Sequence, residues 1–177
     1  VDSFNGARLI YLPFNANGAQ SIVYDIVSVL NALFFADALL ILGVSGAVVL
    51  PLVKWFTRKE VVVNIDGLEW RRSKWSGFAK WFLKFSEAIA VRYSDVVVTD
   101  NQAITDYVEE EYGVESMLIA YGGDHVIQNV IKQQNVLKYP FMSGAYAFKV
   151  ARIEPENNVH LIIKGYSLTN KVLVVVG

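Results

Sequence analysis

The sequence predicts an α/β fold in which helices cover a parallel β-sheet. Residues 60–65 (EVVVNI) and 95–99 (DVVVT) are short, nearly unbroken runs of β-branched residues. Such runs are typical of strands that are buried on both faces. The segment between them, residues 77–92, has the spacing of an amphipathic helix. Strands that alternate with helices in this way indicate a doubly wound, Rossmann-like sheet.

The rest of the first 120 residues continues this alternation. Asp100 or Asn101 is expected to cap a helix from 102 to 112, and Gly113 to end it. The helix over 77–92 is expected to bury its apolar side, which comprises Phe78, Trp81, Phe82, Phe85, Ile89 and Ala90. Further strands are predicted at 8–12, 38–42 and 116–120, and further helices at 21–35 and 47–56.

A second α/β unit is predicted to begin near residue 141. The stretch 125–139 is rich in Gln, Asn and Lys and is interpreted as a connection between domains. A strand at 146–152, a helix at 157–166 and a strand at 171–176 follow it. Because two strands and one helix cannot cover their own faces, we predict a first domain over 1–140 and the beginning of a second over 141–177. The chain is therefore expected to be a fragment.

Composition excludes several classes of protein. Hydrophobic residues make up 54% of the chain and charged residues 19%, which excludes a disordered protein. The net charge of −1 gives no indication of a nucleic-acid partner. Absence of cysteine excludes disulfides and thiolate metal sites, and two histidines argue against zinc. The longest uncharged stretch, 38–53, is shorter than the roughly 18–20 residues of a membrane-spanning helix.

The polar residues best suited to bind or react with a ligand follow the strand at 60–65, in the sequence NIDGLEWRRSKW. Ligands of doubly wound sheets bind beyond the carboxyl ends of the strands. Asp66 and Glu69 can accept hydrogen bonds from sugar hydroxyls, and Trp70 can stack on a pyranose. A solvated loop with internally paired charges explains the same residues, and their chemistry alone leaves both interpretations open. The cations that can face a phosphate are Arg71, Arg72 and Lys74.

Three blocks of the sequence, in order, carry a resemblance to a known family. They are NIDGLEWRRSKW with the following SDVVVTDNQAITDYVEEEYG, then YGGD at 121–124, then RIEPENNVHLIIKGY at 152–166. Together they resemble the rhamnosyltransferase-like family of retaining glycosyltransferases of GT-B type, which build bacterial capsule and O-antigen polysaccharides. The resemblance extends from about Gly6 to the end of the chain.

The resemblance implies transfer of a sugar, with retention of configuration, from a nucleotide-sugar donor to a growing lipid-linked saccharide. In that family the donor is often dTDP-L-rhamnose, and neither a cofactor nor a metal is needed. It implies catalytic roles for Asp66 and Glu69, and binding of the donor phosphate by Arg152, Asn157 and Asn158. The residues implied on the acceptor side of the cleft are Trp70, Arg71, Lys74, Tyr121, Gly122, Gly123 and Asp124.

The chain departs from the wider superfamily at three positions. Asp66 stands where a histidine often follows the strand, Ala151 where glycine is common, and an Asn near 157 where a lysine is frequent. A glycine-rich opening strand is expected before Val1, and an acidic Glu-x7-Glu segment beyond Gly177. On this basis residues 1–177 alone are expected to be inactive.

Two other interpretations of function remain beside the enzyme. One is a non-catalytic, Rossmann-like binding or scaffold module derived from such an enzyme. The other, an oxidoreductase, is disfavoured because no G-x-G-x-x-G follows any strand.

A membrane surface is a further candidate partner. Lys54, Trp55, Arg58 and Lys59, with the group at 71–74, could form a basic and aromatic face. Scattered surface charge is the alternative explanation. We therefore expect a cytoplasmic protein with peripheral contact on the inner face of the plasma membrane.

Overall fold

A computed structural model describes residues 3–16, 20–124 and 133–177. The chain divides into two compact units, Val1–Tyr121 and Gly122–Gly177, where the sequence predicts a boundary after residue 140. In chain order, the first unit contains β1 (Ser3–Phe4), β2 (Ala7–Arg8), α1 (Gln20–Ala32), β3 (Ala38–Leu42), α2 (Leu50–Phe56), β4 (Glu60–Ile65), α3 (Gly77–Tyr93), β5 (Val96–Thr99), α4 (Gln102–Tyr112) and β6 (Met117–Leu118).

The first unit is built on a four-stranded parallel sheet with the order β3-β4-β5-β6. Ile41 lies beside Val63, and Val63 beside Val97, so apolar side chains form rows across the strands. The predicted parallel sheet is confirmed. The structure as a whole is a mixed α/β fold, consistent with a Rossmann-like arrangement.

The core lies on one face of this sheet. Val61, Val63 and Ile65 of β4 are fully buried there, and all four helices of the unit contribute side chains to the same cluster. On the opposite face Leu40 and Leu42 are 67% and 74% exposed. Helices therefore cover one face of the described sheet, whereas the sequence predicts both. Each strand lies beside the strand that precedes it in the chain, and right-handed crossovers then place every connecting helix on the same side.

Helix α3 faces the core with a side that overlaps the predicted one only at its end, where Ala90 is fully buried and Ile89 packs against the core. Its fully buried residues are Leu83, Ser86, Glu87 and Ala90, with Val91 nearly so. The aromatic side chains predicted to be buried are partly or largely exposed, Phe78 to 77% and Trp81 to 61%. The hydroxyl of Ser86 donates to the buried carbonyl of Val44 over 2.6 Å, which satisfies both polar groups.

The predicted strand at 8–12 is wrong. Instead Ser3–Phe4 and Ala7–Arg8 form a short antiparallel hairpin. Its two turn residues, Asn5 and Gly6, have φ of 47° and 84°. Positive φ at both positions is the geometry of a type I′ turn, for which Asn-Gly is the preferred dipeptide.

The ends of α4 follow local sequence signals closely. The Asn101 side chain accepts from the amide of Ile104 over 3.1 Å and caps α4, and Gly113 ends that helix with φ of 65°. Helix α2 begins after a short 3-10 turn, Ala47–Val49. Strand β6 has only two residues, Met117–Leu118, shorter than the predicted 116–120.

The described part of the second unit contains α5 (Gln133–Lys138), β7 (Tyr146–Val150), α6 (Val159–Tyr166) and β8 (Val172–Val176). Strands β7 and β8 are parallel, with Phe148 beside Val174. Helix α6 begins two residues later than predicted, because Pro155–Asn157 forms a 3-10 turn and Asn158 has a left-handed φ of 50°. Among the described residues, no helix combines the length and hydropathy required to cross a bilayer.

Candidate functional site

Polar residues follow the strands at the carboxyl edge of the four-stranded sheet. Gly43 follows β3, Asp66 follows β4 and Asp100 follows β5. Tyr121 stands three residues after β6, and its hydroxyl accepts a hydrogen bond from the Asn64 side chain over 3.3 Å. The sheet therefore brings Asp66, Asp100 and Tyr121 to one edge, as its parallel topology requires.

The surroundings of Asp66 disfavour the ionised form of its carboxyl group. Partial burial at the sheet edge raises the pKa of Asp66 above its ordinary value. A hydrogen bond from its own backbone amide lowers the pKa. Repulsion by the charges of Asp100 and Glu69 raises it, and attraction to the positive charge of Arg72 lowers it. Within the described part of the chain, no other side chain donates a hydrogen bond to this carboxylate. Asp66 is therefore open to donors from a ligand.

Glu69 has the opposite environment. Lys74 Nζ lies 2.7 Å from Glu69 Oε1, Trp75 Nε1 donates to the same oxygen over 3.0 Å, and Arg72 lies 3.2 Å from Oε2. Desolvation acts to raise the pKa of Glu69, but these three donors outweigh it and hold the pKa below its ordinary value. Because its three donors come from the same loop, Glu69 holds residues 69–75 together. Lys74 is one of these donors and is therefore already paired.

Two cations lie close to the ring of Trp70. The Arg71 guanidinium is 4.9 Å from the centre of its ring and the Lys84 ammonium 5.0 Å, both within the range of cation–π attraction. Its indole nitrogen Nε1 is buried and has no partner among the described residues. Trp70 therefore anchors the loop on α3, whereas Arg71 remains exposed.

Lys84 belongs to a buried polar cluster that sequence reasoning missed. Glu87 on α3 is fully buried, and its Oε1 accepts from the hydroxyls of Tyr107 and Tyr112, each over 2.6 Å. Lys84 Nζ lies 3.4 Å from the same oxygen of Glu87 and 2.8 Å from Oε1 of Glu111. The other oxygen of Glu87 has no described partner. Sequence spacing gives only a weak signal for this cluster, namely Lys84 and Glu87 three residues apart on one helix.

Residues 43–46, which follow β3, contact α1 through Ser45 and Gly46. The hydroxyl of Ser45 donates to the carboxylate of Asp25. A Cβ atom at Gly46 would lie 2.9 Å from the Asp25 carbonyl oxygen. These contacts explain the glycine at 46 by close packing, without a ligand.

The predicted donor-side residues lie close together in the second unit. The Asn157 side chain donates to the carbonyl oxygen of Arg152 over 2.7 Å. The Arg152 guanidinium is exposed and lies 3.4 Å from Glu154 Oε1. Asn158 precedes α6 in a left-handed conformation, and its side chain makes no capping hydrogen bond. Arg152 is thus accessible to a ligand, while the Asn157 amide is engaged with the backbone.

Gly122, Gly123 and Asp124 begin the second unit and are exposed. Their assignment to the acceptor side stays a prediction. The described residues contain no group of three or more His, Cys, Asp or Glu that could hold a metal ion.

Comparison with known proteins gives one family. Residues 4–124 match the family described as "Domain of unknown function (DUF1972)". This range contains β2 to β6, including the whole parallel sheet, the loop from Asp66 to Trp75 and the buried Glu87 cluster. Among curated proteins, none matches the sequence. Because the match spans well over half of the chain, the protein belongs to the DUF1972 family.

Proposed function

We propose that the protein is the acceptor-binding part of a retaining glycosyltransferase of GT-B type, with residues 1–140 on the acceptor side and 141–177 at the start of the donor side. Domains of the DUF1972 family occur in glycosyltransferase-associated proteins, which supports an association with sugar transfer. The donor in this proposal is a nucleotide-sugar such as dTDP-L-rhamnose, and the acceptor a lipid-linked saccharide.

The observation that carries this proposal is the state of Asp66. It is a carboxylate at the carboxyl edge of a parallel sheet, its pKa is raised, and no other described side chain donates to it. Asp66 is exposed at this edge, so a sugar hydroxyl can reach its carboxylate and donate to it. A carboxylate with a raised pKa is also better suited than an ordinary aspartate to accept a proton from an attacking hydroxyl.

The neighbouring residues fit an acceptor that approaches along this edge. The carboxylate of Glu69 fixes the loop through its three donors, and Trp70 is held against α3. The hydroxyl of Tyr121, a largely exposed residue, is held by Asn64 at the same edge. We assign direct contact with the acceptor to Asp66 and Tyr121, and a positioning role to Glu69.

Saccharide binding provides the first test. Residues 1–177 are titrated with rhamnose- and glucose-containing di- and trisaccharides, and the indole signals of the four tryptophans are followed by NMR. We expect selective shifts of the Trp70 and Trp75 signals, and their loss in Asp66→Asn. Asp37→Asn, which changes an exposed aspartate next to β3, is the matched control. Equal binding by wild type and Asp66→Asn would remove Asp66 from the site.

Sugar transfer provides the second test, because a scaffold module would also bind saccharide. A polypeptide that carries this chain together with a donor-side domain is supplied with nucleotide-sugars and a lipid-linked acceptor. Turnover with retention of the anomeric configuration supports the enzyme. Saccharide binding without turnover, with any of the donors, favours the alternative of a non-catalytic binding module.

A further inference from the structure

The loop from Asp66 to Trp75 carries three cations, and their environments differ. Arg72 lies 3.2 Å from Glu69 Oε2, and Lys74 lies 2.7 Å from Glu69 Oε1. The guanidinium of Arg71 is exposed and has neither a salt bridge nor a hydrogen bond within the part of the chain that the structure describes. Arg71 is therefore the loop cation whose charge no described carboxylate offsets at contact distance.

Aromatic rings hold the guanidinium of Arg71 in place. Its central carbon lies 4.9 Å from the centre of the Trp70 ring and 5.8 Å from the centre of the Tyr107 ring on α4. Both distances are within the range of cation–π attraction. Such attraction uses the charge of a guanidinium, while stacking leaves the N–H groups in its plane for an acceptor. The rings thus order Arg71 without taking the place of an anion.

The two rings are themselves fixed by the helices. The hydroxyl of Tyr107 donates to the buried carboxylate of Glu87 over 2.6 Å. The ammonium of Lys84 lies 5.0 Å from the centre of the Trp70 ring and 4.9 Å from that of Tyr107. A flexible side chain loses conformational entropy when it binds a ligand, and an arginine that is already ordered loses less.

The carboxylates nearest to this arginine are engaged with other cations. Glu69 binds the two other cations of the loop. On the helices, Lys84 lies 3.4 Å from Glu87 and 2.8 Å from Glu111. The charge of Arg71 is thus left for an anion from outside the protein.

We propose that Arg71 binds the phosphate of a glycosyl phosphate, the group through which a saccharide is joined to a lipid carrier. A guanidinium presents its N–H donors in a fork that matches the oxygens of a phosphate. Hydroxyls of the same ligand can donate to Asp66, in the same loop, whereas the charges of Asp66 and Asp100 repel a free anion. This inference rests on the proposed function, because it assigns one part of the acceptor to a further residue of that loop.

The donor of a sugar transfer also carries phosphate, so two sources of the same chemistry are to be distinguished. The proposed contact of the donor phosphate is Arg152, in the second unit. A nucleotide diphosphate should therefore leave Arg71 unaffected, whereas a sugar phosphate should contact it.

Titration of residues 1–177 at low ionic strength tests the proposal. The ligands are the 1-phosphates of glucose and rhamnose, the two free sugars, inorganic phosphate and dTDP. The side-chain Nε signal of Arg71 and the indole signal of Trp70 are followed by NMR. We expect a sugar phosphate to bind about tenfold more tightly than its free sugar, to shift the Arg71 signal, and to bind less tightly as salt increases. Inorganic phosphate should bind more weakly than the sugar phosphates.

Three variants identify the residue that is responsible. Arg71→Gln should remove the preference for a sugar phosphate and leave the affinity for the free sugar unchanged. Arg71→Lys should keep part of the preference, because an ammonium retains the charge but not the fork. Arg92→Gln is the matched control, since it makes the same change of charge at an exposed arginine of α3, and it should bind as the wild type does.

Equal affinity of the wild type for sugars and sugar phosphates, or equal losses in Arg71→Gln and Arg92→Gln, would overturn the proposal. So would a shift of the Arg71 signal by dTDP alone, because the phosphate would then belong to the donor. Inorganic phosphate that binds as tightly as a sugar phosphate would also overturn it. Failure of the proposed function has a different signature: binding of sugar phosphates would depend on Arg71, while Asp66→Asn would change the affinity for none of the sugars.

Discussion

The ammonium of Lys84 lies 5.0 Å from the centre of the Trp70 ring and 3.4 Å from the buried Glu87 carboxylate. One side chain of α3 thus joins the loop at the sheet edge to a carboxylate in the helical layer. Desolvation acts to lower the pKa of Lys84, but hydrogen bonds to Glu111 and Tyr107 and the charge of Glu87 raise it above its ordinary value. Lys84 is therefore charged at neutral pH, as both contacts require.

Lys84→Met should lower the free energy of unfolding by about 2–3 kcal/mol, because it leaves the Glu87 charge buried with only two tyrosine hydroxyls as donors. Urea denaturation at pH 7 measures the change. Lys80→Met, a lysine on the same helix without a described partner, should change stability by less than about 0.5 kcal/mol.

The double variant Lys84→Met/Glu87→Met distinguishes charge pairing from lost packing. If the cost arises from an unpaired charge, removal of Glu87 should restore much of the stability, and the coupling free energy should exceed about 1 kcal/mol. Additive losses from the two substitutions would mean that Lys84 contributes through its alkyl chain alone.

Asp66 and Glu69 should respond in opposite ways to pH. The pKa of Glu69 is lower in the folded protein than in the unfolded chain, so its contribution to stability is present above the unfolded value of about 4 and is lost as the pH falls through the folded value. The pKa of Asp66 is raised, so its ionisation opposes folding above the folded value and has no effect below the unfolded one.

Consequently Glu69→Gln should destabilise the protein at pH 7 by about 1 kcal/mol, with a smaller effect near pH 3. Asp66→Asn should leave stability unchanged or increased at pH 7, and the difference from wild type should vanish in acid. Urea midpoints at several pH values measure both. A clear loss of stability in Asp66→Asn at pH 7 would contradict the assignment of Asp66 as a carboxylate whose ionisation opposes folding.

Gly46→Ala should be destabilising although its backbone has an ordinary φ. The added methyl group would meet backbone atoms of Asp25 at 2.9–3.0 Å, and α1 or the loop must move away. We expect a loss of about 1–3 kcal/mol, measured by thermal or urea unfolding. Gly67→Ala is the matched control, because its Cβ would contact nothing within 4 Å.

The strands and most helices could be predicted because each signal is local. A buried parallel strand is a run of apolar residues, as at Glu60–Ile65, and Asn101 and Gly113 fix the ends of α4 through their own backbone geometry. The orientation of α3 could not be predicted in this way. Its aromatic side and its buried side both have helical spacing. A glutamate such as Glu87 normally indicates a side that faces solvent, and only the structure shows that Tyr107 and Tyr112 of α4 donate to it.

The candidate site was predictable to a similar extent. Its position at the carboxyl edge follows from strand order, which places Asp66 there, and Tyr121 was named through the family resemblance. The division of roles between Asp66 and Glu69 required coordinates, since only these show that Lys74, Trp75 and Arg72 converge on Glu69. The hairpin at Asn5-Gly6 was missed, because the apolar run after it suggested a longer strand.

Asp66→Asn and Glu69→Gln should each lower turnover by at least about tenfold, or roughly 1.4 kcal/mol of transition-state stabilisation, in an active protein that contains this chain. Both substitutions keep side-chain volume. The pH dependence should separate them: Asp66→Asn removes a group that contacts the acceptor and should remove one ionisation from the kcat/KM profile. Glu69→Gln acts through loop position and should leave that ionisation in place. Near-normal rates in both variants would favour a purely structural loop.

Arg152 provides the test of the donor side. Departure of a nucleotide diphosphate leaves negative charge on the phosphate, which a nearby cation can stabilise. In the structure Arg152 is largely exposed and its contact with Glu154 is 3.4 Å, a surface ion pair worth about 1 kcal/mol or less. Because charge grows toward the transition state, Arg152→Ala should lower kcat as well as donor affinity.

Arg152→Lys should restore only part of the loss, since an ammonium cannot reproduce the forked contact of a guanidinium with a phosphate. Lys149→Ala on β7 is the control, because it removes a cation from the same unit at a position outside the 152–158 segment. Steady-state kinetics over a range of donor concentrations, in an active protein that contains this chain, measure all three variants. Unchanged kcat and donor KM in Arg152→Ala would mean that the arginine serves only its ion pair with Glu154, and that the donor phosphate is bound elsewhere.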